Sequence, residues 1–156
     1  MTIRRDTTRR ISAPLPEVFA AICDARHIRS VSPSILRIDV LSEVTKGEGL
    51  LFRETRKMGK NESSTTIKTT EYALNSHVRM VSDEGGTIWD TLFTVRETED
   101  GSTQLHTEME ARPYKFMPKL ILPVIIGMIA KFVEADMDAV KTYCEAGKAA
   151  SPQIGN

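Results

Sequence analysis

Three side chains give this chain candidate proton chemistry: the carboxylates of Glu54 and Glu71 and the phenol of Tyr114. Held against a bound molecule, such a group can donate or accept a proton, or bind a hydroxyl group of the ligand. None of the three lies in a sequence motif that fixes a reaction. They are therefore the candidate catalytic residues, with no reaction assigned by the sequence.

Each candidate also has a purely structural interpretation. Glu54 could pair with Arg53, Arg56 or Lys68 at the rim of a sheet, and Glu71 could be paired in a similar way. Tyr114 could bind a ligand at a cavity mouth or simply anchor its loop. The sequence leaves these alternatives open.

Other kinds of site are not indicated. No two of the three histidines, His27, His77 and His106, share a metal-ligand spacing, and neither cysteine, Cys23 or Cys144, has a partner at such a spacing. No serine lies in a Gly-x-Ser-x-Gly turn, and no glycine-rich phosphate loop is present. We predict no metal and no cofactor, and we expect both cysteines to be buried, reduced thiols.

Composition points to one folded domain that does not bind nucleic acid. The 156 residues are 40% hydrophobic and 27% charged, and the formal net charge is +0. We interpret the one basic cluster as a solvated strand edge rather than a polyanion site; it comprises Arg4, Arg5, Arg9 and Arg10. The first residues lack the apolar core of a signal peptide, so we expect a cytoplasmic protein.

The most apolar stretch, residues 120–130, is too short to cross a bilayer as it stands. Eleven helical residues at ~1.5 Å each cover roughly 17 Å, whereas the hydrocarbon layer is ~30 Å thick. We therefore predict no membrane span, although peripheral membrane contact is possible. Monomer and homodimer are both compatible with the sequence.

The elements that must position the candidates follow from hydrophobic periodicity. Alternating residues predict a first strand, two short helices beginning after Pro14 and at Asp24, and then a series of strands separated by turn residues. A long helix closes the chain. These elements predict an α+β fold in which a curved antiparallel sheet of about six to seven strands wraps around the C-terminal helix. Residues 1–147 form the predicted domain, and 148–156 form a flexible tail.

Two features of this pattern are ambiguous. In the threonine-rich strand, residues 63–74, Tyr72 and Leu74 fall in the opposite phase to Ile67, which a β-bulge would reconcile. In the last helix, Pro118 and Pro123 interrupt the apolar half. Because proline lacks an N–H donor, we expect a kink or late start near Pro123 and a loose segment over residues 112–123.

The opening of the chain resembles a known superfamily. Residues 11–19 end a strand in an Ala-Pro step and continue into a helix carrying Val-Phe, with Asp24 following. This pattern, the turns at 47–49 and 100–103, and the closing helix ending at 138–143 resemble START-like, or SRPBCC, helix-grip proteins. The similarity is greatest to the polyketide-cyclase/dehydrase-like branch. The stretch 31–34 lacks a tryptophan that many relatives have there.

The resemblance implies a ligand cavity between the sheet and the helix, although the same side chains could simply fill a core. Strand alternation selects the inward face and the apolar helix supplies the opposite wall. The predicted ligand-binding residues are Phe52, Glu54, Thr65, Ile67, Thr69, Met80, Trp89, Thr91, Phe93, Thr107, Met109, Tyr114, Met117, Ile121, Val124 and Met128.

The sequence favours binding over catalysis. The leading hypothesis is binding or transport of a hydrophobic small molecule, such as a lipid, an isoprenoid, a quinone or a polyketide-like compound. The alternative is a polyketide cyclase, aromatase or dehydratase that uses an inward carboxylate. A third hypothesis is a partner-binding or peripheral membrane factor with an exposed apolar helix.

Overall fold

Seven antiparallel strands form one sheet in the order β1-β7-β6-β5-β4-β3-β2. The structure, a computed structural model, describes residues 1–150. The strands are β1 (Ile3–Ile11), β2 (Ile35–Val40), β3 (Leu51–Met58), β4 (Asn61–Ala73), β5 (His77–Glu84), β6 (Thr87–Glu97) and β7 (Thr103–Pro113). Two short helices, α1 (Leu15–Cys23) and α2 (Ala25–Val31), follow β1, and α3 (Phe116–Glu145) closes the domain. The predicted α+β helix-grip fold is confirmed.

The short helices begin where the sequence predicts them. Pro14 precedes α1 in an extended conformation, and Pro16 occupies the first turn, where a missing N–H costs no intrahelical bond. The Asp24 side chain accepts a hydrogen bond from the backbone N–H of Arg26 at 3.0 Å and so caps α2. These two helices close one end of the sheet and contribute side chains to its inner side.

The main core lies between the inner side of the sheet and the helices. Its largest fully buried side chains come from β1, α1, β3, β7 and α3, together with the residue before β3: Ile11, Val18, Phe19, Leu50, Phe52, Leu105 and Met137. A smaller cluster lies under the first half of α3, where Leu122 and Ile126 contact Met109 and Ala111. Both cysteines are buried and free, as expected.

A β-bulge resolves the ambiguous register of β4. The register against β5 shifts between Thr69 and Glu71, which reverses the phase of the strand from that point. Tyr72 therefore points inward and lies against Phe19, with ring centroids 5.4 Å apart. Glu71, a candidate catalytic residue, consequently points outward and is exposed.

The predicted late start of α3 is also wrong. The helix begins at Phe116 and continues through Pro123. Pro118 is the third helical residue, at a position whose N–H would have no partner within the helix. Pro123 removes one interior hydrogen bond, but Leu122 and Ile126 on either side of it are buried against the sheet. Packing of these neighbours accounts for the uninterrupted helix.

The edge strand β1 carries the basic cluster, and three of its arginines pair with carboxylates. Arg4 pairs with Glu110, Arg9 with Asp138 at 2.6 Å, and Arg10 with Asp100. At the other end of the chain, residues 148–150 form a single 3₁₀ turn in which Ala149 is buried. The rest of the predicted flexible tail lies outside the described residues, and the domain boundary at 147 stays a prediction.

Candidate ligand-binding cavity

A cavity of about 460 Å³ lies between the inner face of the sheet, the two short helices and the second half of α3. Most of the side chains that line it are apolar or carry a single hydroxyl group. The sheet supplies one wall, and α3 supplies the facing wall through Ile129, Phe132, Val133, Asp136, Met137 and Val140. The volume lies within the range of sites that hold small organic molecules.

Nine predicted binding residues line this cavity, and all nine come from the sheet. They are Phe52, Glu54, Thr65, Ile67, Met80, Trp89, Thr91, Phe93 and Thr107. Their strands are hydrogen-bonded neighbours, and alternation places every second side chain on the inner face. Thr107 also contacts the opposite wall, since its hydroxyl donates a hydrogen bond to the Met137 sulfur at 2.9 Å.

Two further predicted residues are buried without lining the cavity. Thr69 lies beside the bulge of β4 and is almost completely buried, and its hydroxyl has no hydrogen-bond partner among the described residues. Met109 lies in the smaller core cluster under α3. Both residues point inward as predicted, but Met109 fills the core rather than contacting a ligand.

Four predicted binding residues of α3 lie on the side of the helix that faces away from the cavity. Met117, Ile121, Val124 and Met128 are exposed and do not line the cavity. The first half of α3 is apolar nearly all round, so its sequence does not identify the face that meets the sheet. The buried face instead carries Leu122 and Ile126, and the cavity wall begins one turn later.

Glu71 and Tyr114 also lie away from the cavity. The Glu71 carboxylate accepts a hydrogen bond from Arg79 Nε at 2.8 Å on the outer side of the sheet. The Tyr114 hydroxyl donates to Asp83 Oδ1 at 2.9 Å, and this hydrogen bond raises the pKa of the phenol. Tyr114 is half exposed and anchors the segment before α3, as its structural interpretation proposed.

Glu54 is the one predicted catalytic candidate that lies in the cavity wall. It is only 9% exposed, and its Oε1 atom accepts a hydrogen bond from Arg56 Nε. Arg56 Nη1 in turn donates to Asp136 Oδ1 at 2.7 Å and to the Ser34 hydroxyl at 3.3 Å. The structural alternative for Glu54 is therefore correct in naming Arg56 as a partner, and sequence reasoning missed Asp136.

The arginine is held firmly in its charged form. Burial opposes the charge of Arg56, but hydrogen bonds and attraction from Glu54 and Asp136 outweigh burial and raise the pKa of the guanidinium. Glu84 supplies another carboxylate to the cavity wall, and its Oε1 accepts a hydrogen bond from the Thr66 backbone N–H at 3.2 Å. The cavity lining thus contains three carboxylates and one cation.

A buried polar contact connects the short helices to α3. His27 Nδ1 and the Tyr143 hydroxyl are hydrogen-bonded at 2.8 Å, with both residues buried. Burial is the main cause that lowers the pKa of His27, with Arg26 acting in the same direction and Asp24 opposing it. Neither residue lines the cavity, so this pair positions the wall rather than contacting a ligand.

Two findings concern other kinds of site within residues 1–150. No group of three or more histidine, cysteine or acidic side chains is arranged to hold a metal ion in this part of the chain. One helix there, Phe116–Glu145, is long and apolar enough to cross a membrane by length and composition alone. In this fold its inner face covers the sheet, and the absence of a span stays a prediction.

The fold, the cavity and the sequence together define the class of protein. The chain is a START-like helix-grip protein, and it belongs to the family described as polyketide cyclase / dehydrase and lipid transport, whose profile matches residues 2–145. No curated protein matches the chain.

Solved structures with low sequence identity share the fold. A START superfamily protein from Mycobacterium smegmatis is 12% identical, with a TM-score of 0.73 over 92% of this chain and 97% of that one. A norcoclaurine synthase point mutant from Thalictrum flavum is 16% identical, with a TM-score of 0.72 over 95% and 97%. The di-domain aromatase/cyclase StfQ of the steffimycin pathway is 10% identical, with a TM-score of 0.77 over 97% of this chain and 53% of StfQ.

Proposed function

We propose that the protein binds a hydrophobic small molecule in the cavity between the sheet and α3. The observation that carries this proposal is the 460 Å³ cavity itself, because its walls are mainly apolar. The charged residues in its lining are limited to Glu54, Arg56, Glu84 and Asp136. Burial of about 200 Å² of apolar ligand surface at ~25 cal/mol/Å² would contribute on the order of 5 kcal/mol before association costs. Binding therefore needs no catalytic step.

The charges in the wall support a ligand whose polar end is neutral or positively charged. Arg56 is shared between Glu54 and Asp136, so its charge is already balanced. With Glu84, the described lining carries two more negative charges than positive ones. A carboxylate ligand entering this cavity would meet net repulsion at low dielectric, whereas an alcohol, ketone or ammonium group would not. Alcohols and ketones include isoprenoid, quinone and polyketide-like compounds.

A native mass spectrum of gently purified protein is the first test. A co-purified mass that disappears on denaturation would identify the ligand class and support the carrier role. Both cysteines are free and buried, which fits a reducing compartment and supports a cytoplasmic location for such a carrier.

The class of ligand can be tested with three molecules that share the same alkyl chain and differ in their polar end. Trp89 is the only tryptophan and lines the cavity, so its fluorescence can report uptake of the neutral probe N-phenyl-1-naphthylamine. Dodecanol and dodecylamine should displace the probe, and dodecanoate should do so at least about tenfold less well. If the probe does not bind and none of the three alkyl compounds changes the Trp89 fluorescence directly, the binding proposal fails. Equal displacement by all three would refute only the charge preference.

A second candidate function is proton-transfer catalysis by Glu54. The specific observation that favours it is that Glu54 lines the cavity while its second oxygen, Oε2, makes no hydrogen bond within residues 1–150. Such an oxygen could take a proton from a bound substrate during cyclisation or dehydration. If that reaction expels water, the E54Q variant would retain a co-purified compound heavier by one water than the wild-type product; a cyclisation that expels no water would give the same mass but a different chromatographic retention. Compounds identical in both mass and retention in the two proteins would argue for binding alone.

A further inference from the structure

The outer side of α3 carries a continuous apolar surface, which we call the outer stripe. It consists of Phe116, Met117, Leu120, Ile121, Val124, Met128 and Phe132. The exposed fractions of these residues range from 43% at Phe132 to 82% at Val124. Their spacing of one, three or four residues keeps them on one side of the helix over ~24 Å. Single exposed apolar residues are ordinary, but a contiguous patch of this kind marks an interaction surface.

The charged residues in the helical segment that carries the outer stripe are all lysines. Lys119 and Lys131 are exposed within the span of the stripe, and Lys115, also exposed, immediately precedes it. No aspartate or glutamate occurs in the sequence between Arg112 and Glu134. Long lysine side chains can lay their methylene groups along an apolar surface while the ammonium groups reach the polar phase above it. The outer stripe is therefore an apolar face bordered by cations.

We propose that the outer stripe docks the protein on an anionic lipid bilayer. An apolar helical face with flanking lysines is suited to lie in the interface, with its side chains among the acyl chains and its ammonium groups beside lipid phosphates. A second copy of the chain fits less well, because a two-fold contact between outer stripes would bring lysines of the same charge together. The complementary charge belongs to the lipid surface.

The outer stripe lies next to the cavity. Phe132 is the last residue of the stripe and also lines the cavity, and its neighbour Val133 lines the same wall. Docking through the stripe would hold this part of the cavity wall beside the membrane. The docking proposal itself does not depend on ligand binding, because it rests on exposure and charge alone.

Vesicle flotation tests the docking directly. Full-length protein is mixed with vesicles of phosphatidylcholine alone, or with vesicles containing an equal part of phosphatidylglycerol. We expect the bound fraction to correspond to at least about tenfold tighter partition into the anionic vesicles, falling again in high salt. The V124E variant should lose about tenfold or more of this partition, because a carboxylate would enter the apolar layer.

L74E is the matched control. Leu74 is 69% exposed in the turn between β4 and β5, so this change removes another largely exposed apolar residue and adds the same charge away from α3. L74E should float like the wild type, and circular dichroism should show that both variants are folded. The proposal is overturned if the wild type stays unbound with both vesicle types, or if V124E and L74E behave alike. Light scattering that shows a dimer abolished by V124E, without vesicle binding, would instead assign the stripe to a second copy.

Discussion

Arg56 Nη1 lies 2.7 Å from Asp136 Oδ1, and this contact joins β3 to α3 across the wall of the cavity. The same guanidinium holds Glu54, which is two residues earlier on β3 and therefore on the same face of the strand. One cation thus pairs with a carboxylate from each wall. This arrangement fixes the separation of sheet and helix at the position where the candidate ligand would sit.

We expect D136A to lower the free energy of unfolding by about 1 kcal/mol. The substitution removes a charge-assisted hydrogen bond, but Asp136 is partly exposed, so solvent screening reduces its contribution. Urea denaturation measures the change. D138A is the control, because Asp138 pairs with Arg9 on the more exposed side of the same helix and should contribute less than about 0.5 kcal/mol. Equal losses for the two variants would show that the link between the walls adds nothing.

Stability should fall as the pH is lowered from 7 towards 5.5 because of His27. Burial lowers the pKa of His27 in the folded state below its ordinary value of about 6.5. As the pH falls through about 6.5, His27 therefore takes up a proton in the unfolded chain but stays neutral in the folded protein. The free energy of unfolding consequently decreases with falling pH. The contribution of neutral His27 to the free energy of unfolding is complete only above the pKa that this histidine has in the unfolded chain.

The H27Q variant tests this dependence. Glutamine retains a group that can hydrogen-bond Tyr143 but does not titrate. The melting temperature of the wild type should drop between pH 7 and pH 5.5, and that of H27Q should change less. Parallel curves for the two proteins would mean that His27 is not the group responsible.

Neither cysteine should react with thiol reagents in the native protein at pH 8. Burial is the main cause that raises the pKa of both thiols, Cys23 and Cys144, to about 12, so each remains protonated and shielded. Ellman's reagent should detect no fast thiol in the folded protein and both thiols in denaturant. L74C, with a cysteine at an exposed turn, should give one fast thiol under native conditions. A fast native thiol without this substitution would contradict the buried placement.

The sheet wall was predictable because a strand has a fixed period of two. Once the inner face of β6 was assigned, Trp89, Thr91 and Phe93 followed together, and each lines the cavity. The bulge in β4 could also be anticipated, since Tyr72 and Ile67 cannot share a face in a regular strand. Alternation could further have chosen among the basic partners of Glu54, because Arg56 shares its face and Arg53 does not.

The helix wall was not predictable in the same way. A helix shows its inner face through a polar outer face, and the first half of α3 has almost no polar residues. Leu122 and Ile126 are buried, whereas Val124 and Met128 are exposed. The buried pair packs on Met109 and Ala111, which belong to a strand distant in sequence. The contact of Asp136 with Arg56 is likewise non-local. Such information appears only when the sheet and helix are brought together.

The uninterrupted course of α3 leads to a prediction about Pro123. This residue is exposed in the helix interior, where it removes the hydrogen bond that an N–H at position 123 would donate to the Lys119 carbonyl. Alanine would restore that bond without changing the core. We expect P123A to raise the free energy of unfolding by at least about 1 kcal/mol. Proline costs ~3 kcal/mol relative to alanine inside a helix. Part of this gain is lost in the variant because proline also restricts the unfolded chain, which alanine does not.

P118A is the matched control for this change. Pro118 is the third residue of the same helix, where the missing N–H has no intrahelical acceptor, so its replacement should alter stability by less than about 0.5 kcal/mol. Urea denaturation of both variants, with circular dichroism at 222 nm as the signal, separates the two positions. A gain from P118A as large as that from P123A would mean that an N–H at position 118 finds an acceptor in the helix, so that the helix begins before Phe116. No gain from P123A would mean that the interior proline costs this helix nothing, in which case its neighbours already compensate for the lost hydrogen bond.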